Sequence, residues 1–283
     1  MDKPMLHETV ETIEEILGAE LNRITVERAV VGLFFTAVKL SSGIAGACAT
    51  PIETVRETFY CPGVATAAPS PGGMRGCAAF DLAREAFGPN GPRRALGIAA
   101  INGLADTCWH RRPHPGAELR SGVDAFDATV IHPVDKVVVV GAFVPFLREL
   151  KRRRQPFLVL EQNPATLKAD EMPFFRPADE ADRVIPEADV VLITGTTLVN
   201  GTLEDLLALA KPGARVTVVG PTVGLLPDAF LCRGADILGS IRITEPDAFL
   251  DVLAEGGGAP DFLGRSAQKV VLVRRSVATP KVA

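Results

Sequence analysis

Between residues 137 and 273 the chain repeats one kind of segment, a short run of Val, Ile and Leu without apolar–polar alternation. The runs are Val137–Val140, Phe157–Leu160, Val190–Thr194, Val216–Val219, Ile237–Leu238 and Val270–Val273. A strand with one wet face alternates apolar and polar residues, whereas a strand buried on both faces does not. Helical stretches fall between several of the runs, at 145–153, 203–210 and 246–254. Doubly buried strands alternating with helices define a parallel sheet covered on both sides, so this half is predicted to be a Rossmann-like α/β domain.

The residues before this half follow a different pattern. Leu6, Val10, Ile13, Ile16 and Leu17 recur at helical spacing, and Gly18 stands where that helix should stop. Residues 22–49 read as two or three strands with tight turns at Gly32 and at Ser41–Gly43. Pro62–Gly73 has the composition of an exposed loop, and helices are predicted near 74–87 and 93–106. In the second of these, Leu96, Ala99, Ala100 and Leu104 share a face of small residues suited to close packing. Arg111–Gly116 contains two prolines and a glycine and reads as a hinge, because proline cannot continue a helix. The predicted organisation is a small α+β domain over residues 1–115 followed by the Rossmann-like domain over residues 116–283.

Several function classes are disfavoured by composition. Thirty Lys+Arg against 34 Asp+Glu give a net charge of −4, with one Trp and one Tyr. Neither an electrostatic grip on phosphates nor a stacking surface is available, so no nucleic-acid partner is expected. The mean hydropathy is +0.21, yet the longest nearly apolar run, Val137–Leu147, falls well short of the roughly 18 residues that span a bilayer. No membrane partner is expected either. Cys48, Cys61, Cys77, Cys108 and Cys232 form no Cys-x-x-Cys pair, and the N-terminus lacks the apolar core of a signal peptide. Reduced thiols in a cytoplasm are the simplest reading.

Ligands of an open parallel sheet bind outside the carboxyl ends of its strands, so the strand-end residues are the candidate site. The first run ends in Gly141, Ala142, Phe143, Val144 and Pro145, and the second in Glu161. The third ends in Thr194, Gly195, Thr196, Thr197, Leu198, Val199, Asn200, Gly201 and Thr202, and the next in Gly220, Pro221 and Thr222. Glu161 lies 20 residues beyond Gly141, where nucleotide-binding folds use a carboxylate to accept from ribose hydroxyls; a plain strand-end glutamate fits equally well. The glycine fingerprint is missing, with Phe143 and Pro145 at the turn where backbone would approach a pyrophosphate. Thr194, Thr196, Thr197 and Asn200 lie at a helix start and suit an anionic ligand group, while Thr202 with Asp205 fits a capping pattern. Cys108, His110 and His114 form the one local cluster of metal-ligand types, with Asp106 upstream and Cys48, Cys61 or Cys77 as further donors. A solvated hinge is the competing reading. The chain has no Gly-x-Ser-x-Gly elbow, Walker A loop or His-Glu-x-x-His motif.

Gly97–Asn102, Gly141-x-Phe143 with Pro145, Glu161, Thr194–Thr202, Gly220–Thr222 and Glu255–Gly258 together resemble a known family in their order and over essentially the whole chain. It is a bacterial and archaeal family named for heavy-metal chelation, a domain of unknown function. The resemblance implies a first half shaped like the N-terminal domain of enolase, a Rossmann-like second half and a site in the cleft between them. Across that cleft Asn102 would face Phe143, Glu161, Thr196 and Asn200. One departure is Ala142, which stands where the family commonly has a histidine. The function implied is binding of a heavy or transition metal ion, or of an anionic metal chelate. Gly141, Thr194, Gly195, Thr197, Pro221 and Thr222 would complete the ligand-binding set, and Cys108, His110 and His114 would supply metal ligands. A second expectation is an enzyme using a nucleoside-containing cofactor, S-adenosylmethionine or a nucleotide, at Glu161. A third is a regulatory or scaffold protein with a vestigial cleft. No catalytic residue is assigned; the expected partner is a small molecule or metal chelate, and a homo-oligomer is compatible with the sequence.

Overall fold

The computed structural model describes residues 3–52, 54, 72–224 and 226–275. Cys61 and the loop expected from Pro62 lie outside the described residues up to Pro71. Helix α1 (Met5–Leu17) buries Leu6, Val10, Ile13 and Leu17 and ends at Gly18, whose φ of 49° is a left-handed conformation that favours glycine. Strands β1 (Val26–Val31), β2 (Phe35–Leu40) and β3 (Ala45–Ala49) form an antiparallel sheet, turning at Gly32 and at Ser41–Gly43 as the spacing predicts. Helix α2 (Ala79–Arg84) follows, and α3 (Pro92–Arg111) lies across the sheet. The small-residue face of α3 has a physical reason. A Cβ at Gly46 of β3 would stand 2.2 Å from both the Ala99 carbonyl and the Gly103 amide, so the two backbones are in direct contact. Helix α3 runs five residues beyond its predicted end, which places Cys108 and His110 on its last turns.

The larger sheet contains β4 (Ala117–Ser121), β5 (Val137–Val140), β6 (Phe157–Glu161), β7 (Phe175–Pro177), β8 (Val190–Thr194), β9 (Arg215–Val219), β10 (Ile237–Ile243) and β11 (Ala267–Arg274). Their order is β4-β11-β10-β9-β8-β5-β6-β7. From β10 across to β7 every pairing is parallel, but β11 runs antiparallel to β10 and β4 antiparallel to β11. The parallel sheet expected for this half is thus present from β7 to β10 and carries an antiparallel edge of β11 and β4. A continuous apolar run reports burial on both faces and carries no information about strand direction. Two strands carry no apolar run: β4 is a largely exposed edge strand, and β7 is three residues ending in proline.

Val138, Val140, Val191 and Ile193 point to one face of the sheet and join a core that continues through Leu96, Ile101 and Leu104 of α3. Val137, Val139, Val190 and Leu192 point to the other face and pack on Phe126, Phe146, Leu147 and Leu150. These last residues belong to α4 (Ala125–Ala128) and α5 (Val144–Arg153). The chain leaves β5 for β6 and β7, then returns to place β8, β9 and β10 on the opposite side of β5. The winding direction thus reverses between β5 and β8, the point where open α/β sheets form a crevice. Around it lie α6 (Ala181–Val184), α7 (Thr196–Val199) and α8 (Leu203–Ala208), while α9 (Asp228–Leu231), α10 (Pro246–Ala254) and α11 (Ala259–Phe262) complete the fold. No described helix is long and apolar enough to cross a membrane.

Candidate functional site

At the reversal point the ends of β5 and β8 approach closely. Gly141 has φ 93°, and a Cβ there would stand 2.7 Å from Thr194 Cγ2. Glycine is required both by the backbone angle and by the neighbouring threonine. The next amide, Ala142 N, donates to Glu161 Oε2 at 2.7 Å, while Gln162 N and Asn163 N donate to Glu161 Oε1 at 2.8 and 3.0 Å. Phe143 N is turned inward to the Gly141 carbonyl, and Pro145 has no amide hydrogen. The turn that holds a pyrophosphate in dinucleotide folds is thus filled by the chain's own carboxylate.

The segment after β8 is equally self-contained. Gly195 N donates to the Val219 carbonyl at 2.7 Å, Thr197 Oγ1 to the Thr194 carbonyl at 2.7 Å, and Asn200 N to the Thr196 carbonyl at 3.2 Å. Thr194 Oγ1 and Thr196 Oγ1 are hydrogen-bonded at 3.0 Å. The expected capping by Thr202 is corrected: its hydroxyl donates to Asn200 Oδ1 at 2.7 Å, and its backbone is already helical, which turns the side chain away from the first amides of α8. Most of the loop's amides are engaged internally, so it makes a poor anion cradle. It offers the ligand side the exposed Thr196 and Asn200.

These elements enclose a cleft of about 370 Å³. Gly141, Glu161, Thr194, Thr196, Thr197 and Asn200 line it, over an apolar floor of Val140, Leu160, Leu206 and Leu209. Three further carboxylates, Asp179, Asp182 and Asp205, complete the wall, and among the described residues no Lys or Arg lines it. Asp179 and Asp182 escaped the sequence reading because they follow β7, the strand too short to recognise. Asp205 was read only as a capping partner.

The remaining candidates lie elsewhere. Asn102 is buried, and its Nδ2 donates to the carbonyls of Ala47 (2.8 Å), Thr222 (2.9 Å) and Pro221 (3.4 Å). Thr222 Oγ1 accepts from Ala49 N at 2.9 Å. Both residues tie the two halves together. Phe143 stacks edge-on against Phe146 and, with Pro221, lines a separate apolar pocket of about 280 Å³ that Phe35 and Phe262 also wall. The expectation of one cleft between the halves, with Asn102 facing Phe143, Glu161, Thr196 and Asn200, is therefore corrected. The polar strand-end residues gather in a cleft walled by the second half alone.

The metal cluster is dispersed. Continuation of α3 through His110 turns positions 108 and 110 to different helix faces. Cys108 is buried, and burial pushes its thiol up to about 12, far from the thiolate a metal needs. Exposed His110 has its Nδ1 at 2.8 Å from the Asp106 carbonyl. His114 is buried with Nε2 at 2.6 Å from Asp228 Oδ2 and Nδ1 accepting from Gly116 N at 3.1 Å, so both ring nitrogens are engaged. Among the described residues no three His, Cys, Asp or Glu side chains are grouped to hold a metal ion.

A strand order of β7-β6-β5-β8-β9-β10 with the cleft at its reversal defines a doubly wound α/β protein of the Rossmann type, here without the glycine phosphate turn. The chain belongs to the DUF364 family, whose model, described as "Putative heavy-metal chelation", matches residues 124–272. A second model with the same description, DUF4213, matches residues 14–105. An uncharacterised protein of Methanocaldococcus jannaschii is 30% identical over 176 residues, a stretch covering 61% of this chain and 63% of that relative. Two solved structures of DUF364 proteins of unknown function share the fold. One, from Pyrococcus horikoshii, has a TM-score of 0.71 at 20% identity and covers 94% of this chain and 98% of its own. The other, from Desulfitobacterium hafniense, has a TM-score of 0.70 at 21% identity and covers 95% and 99%.

Proposed function

We propose that the protein binds a metal as a complex, carried within a shell of water or small-molecule ligands, in the cleft at the β5–β8 reversal. The observation that carries this reading is the composition of the cleft wall. Glu161, Asp179, Asp182 and Asp205 give it one sign of charge, without a lysine or arginine among the described residues. A cleft lined by one sign concentrates the opposite charge, so a cationic or neutral complex fits better than the anionic chelate expected from the sequence. The carboxylates do not converge on one point as ligands of a bare ion would. A volume of about 370 Å³ instead suits an ion with its own ligands, which Thr196 and Asn200 would meet with hydrogen bonds. We propose the boundary between the two domains at residues 115/116, where the Pro113–Gly116 stretch follows the end of α3.

The nucleoside-cofactor reading is weakened, because backbone amides already take three of the roughly four acceptor positions of Glu161. The test is calorimetric titration with hexaamminecobalt(III), whose ligands do not exchange. Binding at one site per chain, weakening as ionic strength rises, is the expected result. Failure of this complex to bind where aqueous Ni(II) or Co(II) binds tightly would mean that side chains coordinate the metal directly, and would overturn the proposal.

A further inference from the structure

Among the described residues three buried side-chain polar atoms have no hydrogen-bond partner: His7 Nδ1, Arg94 Nε and Ser266 Oγ. Two of the three belong to residues walling one small cavity, of about 190 Å³, between α1, the start of α3 and the α7–α8 loop. Arg94 Nη1 donates to the Gly88 carbonyl at 2.8 Å and Nη2 to the Leu198 carbonyl at 3.1 Å. Both partners are neutral, and no carboxylate among the described residues lies within ion-pair distance of this guanidinium. A charge withdrawn from water is costly unless an opposite charge answers it.

The neighbouring ionisable groups do not supply that answer. Glu204 also walls the cavity, but its Oε1 accepts from Met5 N at 3.0 Å and its Oε2 from Arg233 Nε at 3.1 Å. The Cys48 thiol feels the Arg94 charge, yet burial pushes it up to about 12 and keeps it protonated. His7 is held in place by stacking on Phe87, with ring centroids 3.8 Å apart.

We propose that this cavity is a binding site for a small oxyanion, an inorganic phosphate or the carboxylate of a small acid, held by the Arg94 guanidinium and the His7 imidazole. The planar fork of arginine suits an oxyanion, and the volume is too small for a nucleotide. The site lies behind the loop that walls the metal cleft, sharing only Thr197 with it, and does not depend on the metal reading.

The test follows the imidazole resonances of the chain's four histidines, His7, His110, His114 and His132, while inorganic phosphate and acetate are titrated separately into the intact protein. A saturable shift of His7, with exposed His110 and His132 unmoved, is the expected result, and the tighter of the two anions identifies the headgroup class. Arg94→Gln should weaken that binding by about tenfold, since the guanidinium is half-buried and the charge it loses is partly screened. Arg94→Lys, which keeps the charge and loses the fork, should fall between. Because wild-type protein carries the primary readout, the test stands even if Arg94→Gln does not fold. No saturation by either anion up to about 10 mM, or shifts spread over the exposed histidines without preference for His7, would overturn the proposal.

Discussion

The seam between the two halves and the cleft at the β5–β8 reversal are both polar, but they treat polar groups in opposite ways. In the seam nearly every group is matched. Asn102 meets three carbonyls, Thr222 meets Ala49, and Asp106, only 4% exposed, pairs with Arg242 at 2.7 Å. In the cleft the backbone is satisfied internally, whereas the side chains of Asp179 and Asp182 line the wall. Matched polar groups fix a geometry, and unmatched ones on a concave wall are what a ligand can use. Residues from one set of strand-end motifs are thus divided between holding the halves together and meeting a ligand.

That division predicts opposite mutational signatures. The largest effect should come from Arg242→Ala, which leaves the Asp106 carboxylate buried without its partner. A loss of about 3 kcal/mol of stability is expected by denaturant unfolding, with hexaamminecobalt(III) binding retained where the protein remains folded. Gly141→Ala should cost about 1–3 kcal/mol, through its positive φ and the contact with Thr194, and should weaken binding as well, because it displaces the cleft wall. The smallest effects should be at Asp179→Asn and Asp205→Asn. Each should weaken binding of the complex by about two- to fivefold while leaving the unfolding midpoint unchanged. An Asp179 or Asp205 variant that destabilised the fold as much as Arg242→Ala would erase the distinction between seam and cleft.

Much of the fold was legible because burial leaves a mark on composition. The apolar runs located β5, β6, β8, β9, β10 and β11, and the alternation of strand and helix announced the doubly wound sheet. Strand direction left no such mark, so the antiparallel β11 was misread, and the short β7 left no periodic signal at all. The strand-end motifs contain Gly141, Glu161, Thr194, Thr196 and Asn200, which line one cleft. The same motifs also contain Asn102, Phe143, Pro221 and Thr222, which pack into the seam or into the apolar pocket. A residue type reveals what a side chain can do, but only the packing shows whether a neighbour has already engaged it. The Cys108, His110 and His114 cluster illustrates this, since helix continuation and existing partners disperse it.

The central claim is that the cleft meets a metal through that metal's own ligands. Anomalous diffraction from crystals containing hexaamminecobalt(III) tests it most directly. A cobalt peak within the cleft, about 4 Å from the carboxylate oxygens of Asp179, Asp182 or Asp205, is the predicted result. A crystal grown with aqueous Ni(II) or Co(II) whose metal lies about 2 Å from three protein side-chain donors would contradict it.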